Sequence, residues 1–182
     1  MPGPIPHPTP LYRLMHIDNL KGCLDRGGVY APNHWPDDGL AYRTIHNERI
    51  QDTRHLRRIA CGPGGTIHDY VSFYFGYLSP MMLNLKTGRV PGYTEGQTPL
   101  IYLVSSAQSI RESGVGFVFS DGHGVATFTQ WFDDLARLDR VDWRMVYQNG
   151  EPHATHAHSP LGTLRRDGAC WSNASALVCA WK

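Results

Sequence analysis

Apolar and polar positions along the chain form short strand-like and helix-like patterns rather than one long repeat. Residues 11–14 are an apolar run that predicts a first strand. Residues 16–28 then repeat apolar side chains at helical spacing up to Gly27 and Gly28, which predicts a short helix with a glycine end. Residues 71–77 are aromatic and bounded by turn residues, which is typical of a strand.

Three later segments are also strongly apolar. Residues 98–106 and 114–123 are near-continuous apolar runs, which predicts strands buried on both faces. Residues 127–143 place large side chains on one helical stripe, which predicts a core-facing helix: Phe128, Trp131, Phe132, Leu135 and Leu138. The sum is an α+β domain, with strands concentrated between residues 70 and 120 and short helices around them.

The pattern changes at both ends of the chain. The first ten residues, MPGPIPHPTP, are rich in proline and predict an extended arm. After residue 148 the periodicity disappears until residues 174–181, and small residues, histidines and cysteines replace it. We therefore divide the chain into an arm (1–10), a folded domain (11–148) and an atypical tail (149–182).

Charge and composition limit the classes of partner. The formal net charge of +1 gives no overall basic surface, so a nucleic-acid partner requires a local basic groove. No apolar run approaches the roughly 20 residues of a membrane span, and the first ten residues lack the basic and apolar regions of a signal peptide. The four cysteines follow no zinc-binding spacing, so free thiols, no membrane partner and a cytoplasmic location are expected.

A cluster of arginines lies in the polar segment 33–58. Arg49, Arg54, Arg57 and Arg58 can hold phosphates, because the planar guanidinium bonds two oxygens at once and stays charged. They can equally form a solvated helix face paired with nearby acids. The pattern alone leaves both interpretations open.

His16 stands at the predicted junction of a strand and a helix. A neutral imidazole there can bond a ribose or an amide, since it donates through one ring nitrogen and accepts through the other. A histidine at such a junction more often bonds the local backbone, and the sequence favours this second interpretation.

Several other polar motifs also have a purely structural interpretation. GPGGT, residues 62–66, lacks the spacing of a phosphate loop or a dinucleotide fold, and predicts a sharp turn. His68 and Asp69 are adjacent on a predicted strand and would face opposite sides, so they are not expected to form a dyad. Asp121 and His123 follow a strand and mark either a site or a turn. No metal site is predicted, because three tail histidines have no accompanying acid: His153, His156 and His158.

Five segments, in their order and spacing, resemble the DarT toxins. They are LMHIDNLKGCLDRGGVYA, GGTIHDYVSFYFGYLSPMM, GQTPLIYLVSS, GFVFSDGHG and LARLDRVDW, and the resemblance covers residues 11–147. It implies an ADP-ribosyltransferase fold with a central mixed or antiparallel sheet and short flanking helices. It also implies transfer of ADP-ribose from NAD⁺ to a base, thymidine, in single-stranded DNA. The implied partner is a macrodomain antitoxin, and a monomer is expected.

The resemblance also implies roles for individual residues. His16 and Asn19 would contact the ribose and adenosine side of NAD⁺, and Arg54 would meet the dinucleotide and, with His16, assist catalysis. Residues 62–82 would form the wall behind the nicotinamide. The residues implied for that wall are Tyr70 and Phe73 or Tyr74, with Ser79 and Met81 shaping the pocket. The residues implied to contact DNA are Arg49, Arg57 and His123.

The tail departs from the family pattern. In that pattern a basic, helix-forming stretch follows residue 147 and leads to a strand with a glutamate, whereas neither Glu151 nor Asp167 has the right neighbours here. Three hypotheses cover the departure: a shifted reading frame, a divergent end in which one of these acids substitutes, or a site completed by a partner. We expect an impaired enzyme. The alternatives are an NAD glycohydrolase and a non-catalytic module that binds NAD⁺ or single-stranded DNA.

Overall fold

The sheet at the centre of the fold has six strands. The computed structural model describes residues 3–147 and 177–180. The strand order is β3-β1-β2-β6-β4-β5, and neighbouring strands pair antiparallel. The strands are β1 (Pro10–His16), β2 (Val71–Tyr74), β3 (Leu100–Ser106), β4 (Phe117–Ser120), β5 (Trp131–Phe132) and β6 (Leu177–Ala180). The predicted α+β class is confirmed.

Short helices flank the sheet. The α-helices are α1 (Asn19–Asp25), α2 (Glu48–Leu56), α3 (Pro80–Lys86), α4 (Ala107–Glu112) and α5 (Trp143–Val146). Single-turn or short 3₁₀ helices span Pro32–His34, Ile67–Asp69 and Leu135–Arg140. In the part of the chain that the structure describes, no helix combines the length and apolar character needed to cross a membrane.

The tail contributes a strand to the interior of the sheet. The backbone of β6 lies between β2 and β4, with Val178 opposite both Phe73 and Phe119. β6 falls inside the stretch 174–181 where the sequence regains its apolar character. The tail's predicted histidine and acid positions, from Glu151 to Asp167, lie outside the described residues.

The prediction of two-sided burial is wrong for β3. β3 is an edge strand that pairs only with β1 among the described strands, and Val104 on it is 64% exposed. An apolar run does not reveal whether a strand has one neighbour or two. For β4, whose residues Val118 and Phe119 are fully buried, the prediction of a buried strand is confirmed.

The single helix predicted over residues 127–143 is wrong for the first half of the segment, whereas Leu135–Arg140 is a 3₁₀ helix that buries Leu138 in the core. Trp131 and Phe132 form β5, and Phe128 is 94% exposed. The segment pairs with the end of β4: the Asp121 backbone N–H donates to the Gln130 carbonyl, and the Gln130 N–H donates to the Asp121 carboxylate. These bonds satisfy the backbone without a helix, so tertiary pairing overrides the helical spacing.

Three apolar clusters form the core. One packs Trp143 against Phe75 and Phe119, a second packs α3 against β1 and β3, and a third surrounds Tyr70 and Val118. Trp143 is 1% exposed, and its indole N–H donates to the Leu138 carbonyl at 2.8 Å. The first and third clusters fix β2 and the turn before it, which matters for the site.

Candidate active site

A cavity of about 350 Å³ lies where β1 and β2 meet α2 and the segment 30–46. Its wall is largely aromatic and basic. The lining residues are Arg13, Leu14, Tyr30, Pro32, Trp35, Tyr42, Ile45, His46, Gln51, Arg54, Tyr70, Ser72, Tyr74 and Met81. The volume is within the usual range for a small-molecule site.

The alternation of β2 decides which aromatic side chain faces the cavity. Ser72 and Tyr74 line it, whereas Phe73 packs against the core cluster that contains Phe75 and Phe119. Successive strand residues point to opposite faces, so the sequence's choice between Phe73 and Tyr74 resolves to Tyr74. Phe73 lines neither described cavity, and its part in the nicotinamide wall stays a prediction.

The turn before β2 has the sharp geometry that its glycines predict. Gly62, Gly64 and Gly65 have φ angles of 57°, 76° and 82°, and a Cβ on Gly65 would approach the Asp69 carboxylate to 2.6 Å. Tyr70 is fully buried in the cavity wall, and its hydroxyl donates to the Gly64 carbonyl at 2.6 Å. The turn therefore holds the ring of Tyr70 in place.

Arg54 lies between the large cavity and a smaller one. It comes from the last turn of α2, and its guanidinium donates to the Ser72 hydroxyl. Its Nε is buried and has no hydrogen-bond partner among the described residues. The second cavity, of about 60 Å³, shares Arg54, His46 and Tyr74 with the first and extends to His123.

His16 and Asn19 line neither of these two cavities, and the contacts with NAD⁺ that the resemblance implies stay a prediction. His16 is 2% exposed, accepts from the Asp18 N–H at 3.2 Å and lies 3.4 Å from the Glu95 carboxylate. Asn19 accepts from the Arg43 N–H at 2.7 Å and donates to the Arg43 carbonyl at 2.9 Å. The favoured interpretation of His16 as a backbone-bonding residue matches this geometry. Asn19 therefore holds the segment 30–46, which supplies part of the wall, whereas His16 lies beside Asp18 and Glu95, the two acids that pair with Arg43.

Arg26 also holds the segment 30–46 in place. It pairs with Asp38 at 2.5 Å, donates to the Leu40 carbonyl at 3.0 Å, and stacks over Trp35 at 4.4 Å. Trp35 in turn meets Tyr42 edge-on at 5.1 Å. Sequence reasoning missed Trp35 and Tyr42, although two large aromatic residues in a polar, loop-like stretch were a usable signal.

The two remaining residues predicted for the wall, Met81 and Ser79, differ in whether they line a cavity. Met81 lines both cavities. Ser79 lines neither; it is 3% exposed, and its hydroxyl accepts from the Met82 N–H at 3.2 Å as the N-cap of α3. Ser79 therefore shapes the pocket through the helix that carries Met81, and a direct contact with the ligand stays a prediction.

The three residues implied to contact DNA differ in their relation to the small cavity. His123 lines it, and Arg57 donates to the Ala126 carbonyl at 3.2 Å, which ties the end of α2 to the loop that follows β4. Arg49 is exposed on α2 and lines neither cavity.

His68 and Asp69 do not form a dyad, although the reason differs from the one expected. They lie in a 3₁₀ helix rather than in a strand. The His68 Nε2 faces the Gln51 side-chain oxygen at 3.1 Å, whereas Asp69 accepts from the Asn33 amide at 2.8 Å. Between residues 3 and 147, no group of three or more histidine, cysteine, aspartate or glutamate side chains is placed to hold a metal ion.

Three histidines near Arg54 have lowered pKa values. Burial is the largest cause of the lowered pKa of His46, His68 and His123, and the positive charge of Arg54 is the second. Both effects disfavour a second cation, so these imidazoles are kept neutral. The site therefore presents fixed arginine charge, neutral hydrogen-bonding rings and aromatic faces, which suits an anionic ligand with flat rings.

Comparisons with known proteins identify relatives of this chain. The family model of DarT, described as ssDNA thymidine ADP-ribosyltransferase, matches residues 12–161. A DNA ADP-ribosyl transferase of Thermus sp. (strain 2.9) is 42% identical over 141 residues, which are 78% of this chain and 66% of that protein. The corresponding protein of Escherichia coli O127:H6 is 31% identical over 146 residues, 78% of this chain and 64% of its own length.

The fold is similar to a solved DarT structure. Thermus sp. 2.9 DarT in complex with ADP-ribosylated ssDNA superposes with a TM-score of 0.80 at 36% identity, covering all of this chain and 79% of that chain. The predicted ADP-ribosyltransferase-like fold is thereby confirmed. This chain spans slightly less than two thirds of the length of the curated relatives it matches. The family model matches residues 12–161, which are most of this chain, and the chain therefore belongs to the DarT family.

Proposed function

We propose that this protein transfers ADP-ribose from NAD⁺ to a base, thymidine, in single-stranded DNA. The observation that carries the proposal is the position of Arg54, which lines both the large aromatic cavity and the small cavity that extends to His123. One arginine therefore borders a space for the dinucleotide and a space for the acceptor base.

The chemistry accounts for the residue types in the large cavity. The bond between the ribose and the nicotinamide nitrogen breaks with its electron pair leaving on nicotinamide, and a nucleophilic atom of the base bonds to the ribose and loses its proton. A cationic ribose reacts with water unless the acceptor is held close and water is excluded. The aromatic side chains Tyr70, Tyr74 and Trp35 supply flat, water-excluding surfaces, and Arg54 supplies positive charge for the pyrophosphate.

The surface around the small cavity supports a DNA strand as the acceptor. Arg57 and the loop after His123 are joined by a hydrogen bond, and the exposed ring of Phe128 belongs to the same loop. Local arginines and exposed aromatic rings together bind single strands, and each stacked base contributes about 1–3 kcal/mol. This arrangement offsets the absence of overall basic charge.

Incubation with NAD⁺ and thymidine-containing or thymidine-free single strands tests the proposal. We expect ADP-ribose mass on the thymidine-containing strand only, and loss of this product in Arg54→Ala. Arg111→Ala is the matched control, because Arg111 is an exposed arginine on α4 that lines neither cavity. Free ADP-ribose with unmodified DNA would instead identify a glycohydrolase, and NAD⁺ binding without turnover would identify a binding module.

We also propose that transfer by this chain is slow because the family glutamate is absent. The support is compositional: the tail strand β6 reads Leu-Val-Cys-Ala, and neither Glu151 nor Asp167 has the family's neighbours. Measuring the single-turnover rates of this protein and of the Thermus sp. relative under the same conditions tests this point. Equal rates would contradict it, and a further loss in Glu151→Gln or Asp167→Asn would identify a substitute acid. The coding DNA across codon 148 separates a shifted frame from a divergent end.

A macrodomain antitoxin that removes the modification, a monomeric state and a cytoplasmic location complete the proposal. They rest on the family pattern. Treatment of the modified strand with a macrodomain hydrolase tests the first, since release of ADP-ribose is expected, and size-exclusion chromatography with light scattering tests the second.

A further inference from the structure

A second arginine, Arg13, borders the large cavity beside Arg54. Arg13 lies on β1, and its Nη1 donates to the Ser72 backbone carbonyl at 3.0 Å. Arg54 donates to the hydroxyl of the same serine. Ser72 therefore sits between two guanidinium groups that come from different elements, and both line one cavity.

Both arginines keep an unused donor. The Nε atoms of Arg13 and Arg54 are buried, and neither has a hydrogen-bond partner among the described residues. A buried N–H without an acceptor is costly, because it has lost its hydrogen bonds to water. Both donors are enclosed by protein in this structure, and both arginines line the cavity, so a small shift of either side chain would let an incoming acceptor reach its N–H.

The charge around the pair points to an anion. The residues described as lining the cavity include two arginines and no aspartate or glutamate. Two other arginines of the same region are neutralised: Arg26 by Asp38, and Arg43 by Asp18 and Glu95. Arg13 and Arg54 have only neutral oxygens as partners in the structure between residues 3 and 147.

We propose that Arg13 and Arg54 form a two-arginine clamp for a pyrophosphate group, in which Arg13 is a ligand-binding residue. The proposal rests on the proposed function for the identity of the ligand, a dinucleotide such as NAD⁺. Two forks that approach from β1 and α2 can each bond one phosphate, while Ser72 fixes their separation. The geometry assigns Arg13 to ground-state binding rather than to the chemical step.

Calorimetric titration with ADP-ribose, inorganic pyrophosphate and adenosine tests the clamp. Arg13→Met should weaken ADP-ribose and pyrophosphate binding by about 10- to 100-fold, the loss expected for one charged hydrogen-bonding group. Adenosine affinity should stay unchanged, since it carries no phosphate. Arg13→Lys should recover part of the affinity, because it restores charge without the fork. Arg111→Met is the matched control and should bind all three probes like the parent protein.

The outcomes separate this inference from the proposed function. Equal ADP-ribose affinity in Arg13→Met and the parent protein overturns the clamp, as does an equal loss of adenosine and ADP-ribose affinity. If the parent protein binds pyrophosphate and ADP-ribose through Arg13 but modifies no DNA, the proposed transfer fails and the clamp stands. If it binds neither anion, both fail. In steady-state assays of an active preparation, Arg13→Met should raise the KM for NAD⁺ and leave kcat close to the parent value.

Discussion

Replacement of Asn19 by alanine separates a positioning role from direct contact with NAD⁺. Asn19 is 5% exposed and makes two hydrogen bonds to the backbone of Arg43, at 2.7 and 2.9 Å. A typical protein hydrogen bond contributes about 0.5–1.5 kcal/mol net, so losing the pair should lower the free energy of unfolding by about 1–3 kcal/mol. In a chain of this size that corresponds to a fall in Tm of roughly 2–12 °C.

The assay measures urea unfolding and ADP-ribose affinity on the same preparation. We expect Asn19→Ala to lose both stability and affinity, because the segment 30–46 that carries Trp35 and Tyr42 loses its attachment. Gln108→Ala is a matched control. The Gln108 amide also makes two bonds to a distant residue, accepting from the Thr9 N–H at 2.8 Å and donating to the Thr9 hydroxyl at 3.2 Å, and it lines neither cavity. It should lose similar stability and keep its affinity.

One result would refute the positioning argument. If Asn19→Ala unfolds at the same urea concentration as the parent protein but binds ADP-ribose at least about tenfold more weakly, a difference of 1.4 kcal/mol, Asn19 contacts the ligand directly. The contact implied by the family resemblance would then be right, and the closed arrangement around Arg43 would have to open on binding. Equal losses of affinity in Asn19→Ala and Gln108→Ala would show that general destabilisation is the cause.

Two further predictions concern pH and the DNA surface. Because the folded state lowers the pKa values of His46, His68 and His123, the unfolded chain binds more protons near the ordinary histidine pKa of 6.5. Their contribution to stability is therefore complete above that pH and is lost as the pH falls below it; urea unfolding from pH 8 to pH 5 checks this, and a stability that stays flat or rises on acidification contradicts it. Phe128→Ala should leave the Tm unchanged, since its ring is 94% exposed, and should weaken single-strand binding by about 5- to 100-fold as one stacking partner is lost. Ser113→Ala on the exposed end of α4 serves as the control in fluorescence anisotropy, and equal affinities in the two variants would remove Phe128 from the DNA surface.

Local sequence patterns correctly predicted the elements whose conformation depends mainly on their own residues. The strand around Val71, the turn at Gly62–Gly65 and the helix after His16 follow from side-chain type and spacing, and all three are present. Arg54, which the arginine cluster already suggested, and Tyr74 and Met81, which only the family resemblance suggested, also reach the cavity. These residues lie on elements whose direction the sequence fixes locally, by strand alternation or by a helix end.

The failures share a different cause. Val104 is exposed because β3 has one neighbour, and Trp131 is in a strand because Gln130 finds a partner in Asp121. Neither fact is contained in the spacing of apolar residues, since both depend on which distant segment lies alongside. Arg13 was overlooked for the same reason: a lone arginine in an apolar strand shows its role only when Ser72 and Arg54 are brought next to it.

The two sides of the cavity are held by different interactions, so we expect them to open at different free-energy cost when a ligand enters. The side formed by Tyr70 and β2 rests on fully buried apolar contacts with Ile67, Val118 and Phe75. In the segment 30–46, residues 32–44 include no buried side chain and are held mainly by hydrogen bonds and partly exposed ion pairs, in which Arg43 is 44% exposed and Asp18 is 55% exposed. Exposed ion pairs contribute little and are screened by salt, so this segment opens at lower cost than β2. We therefore expect amide hydrogens of the segment 30–46 to exchange faster than those of β2, and bound ADP-ribose to slow them, because a ligand that contacts both sides stabilises the closed state.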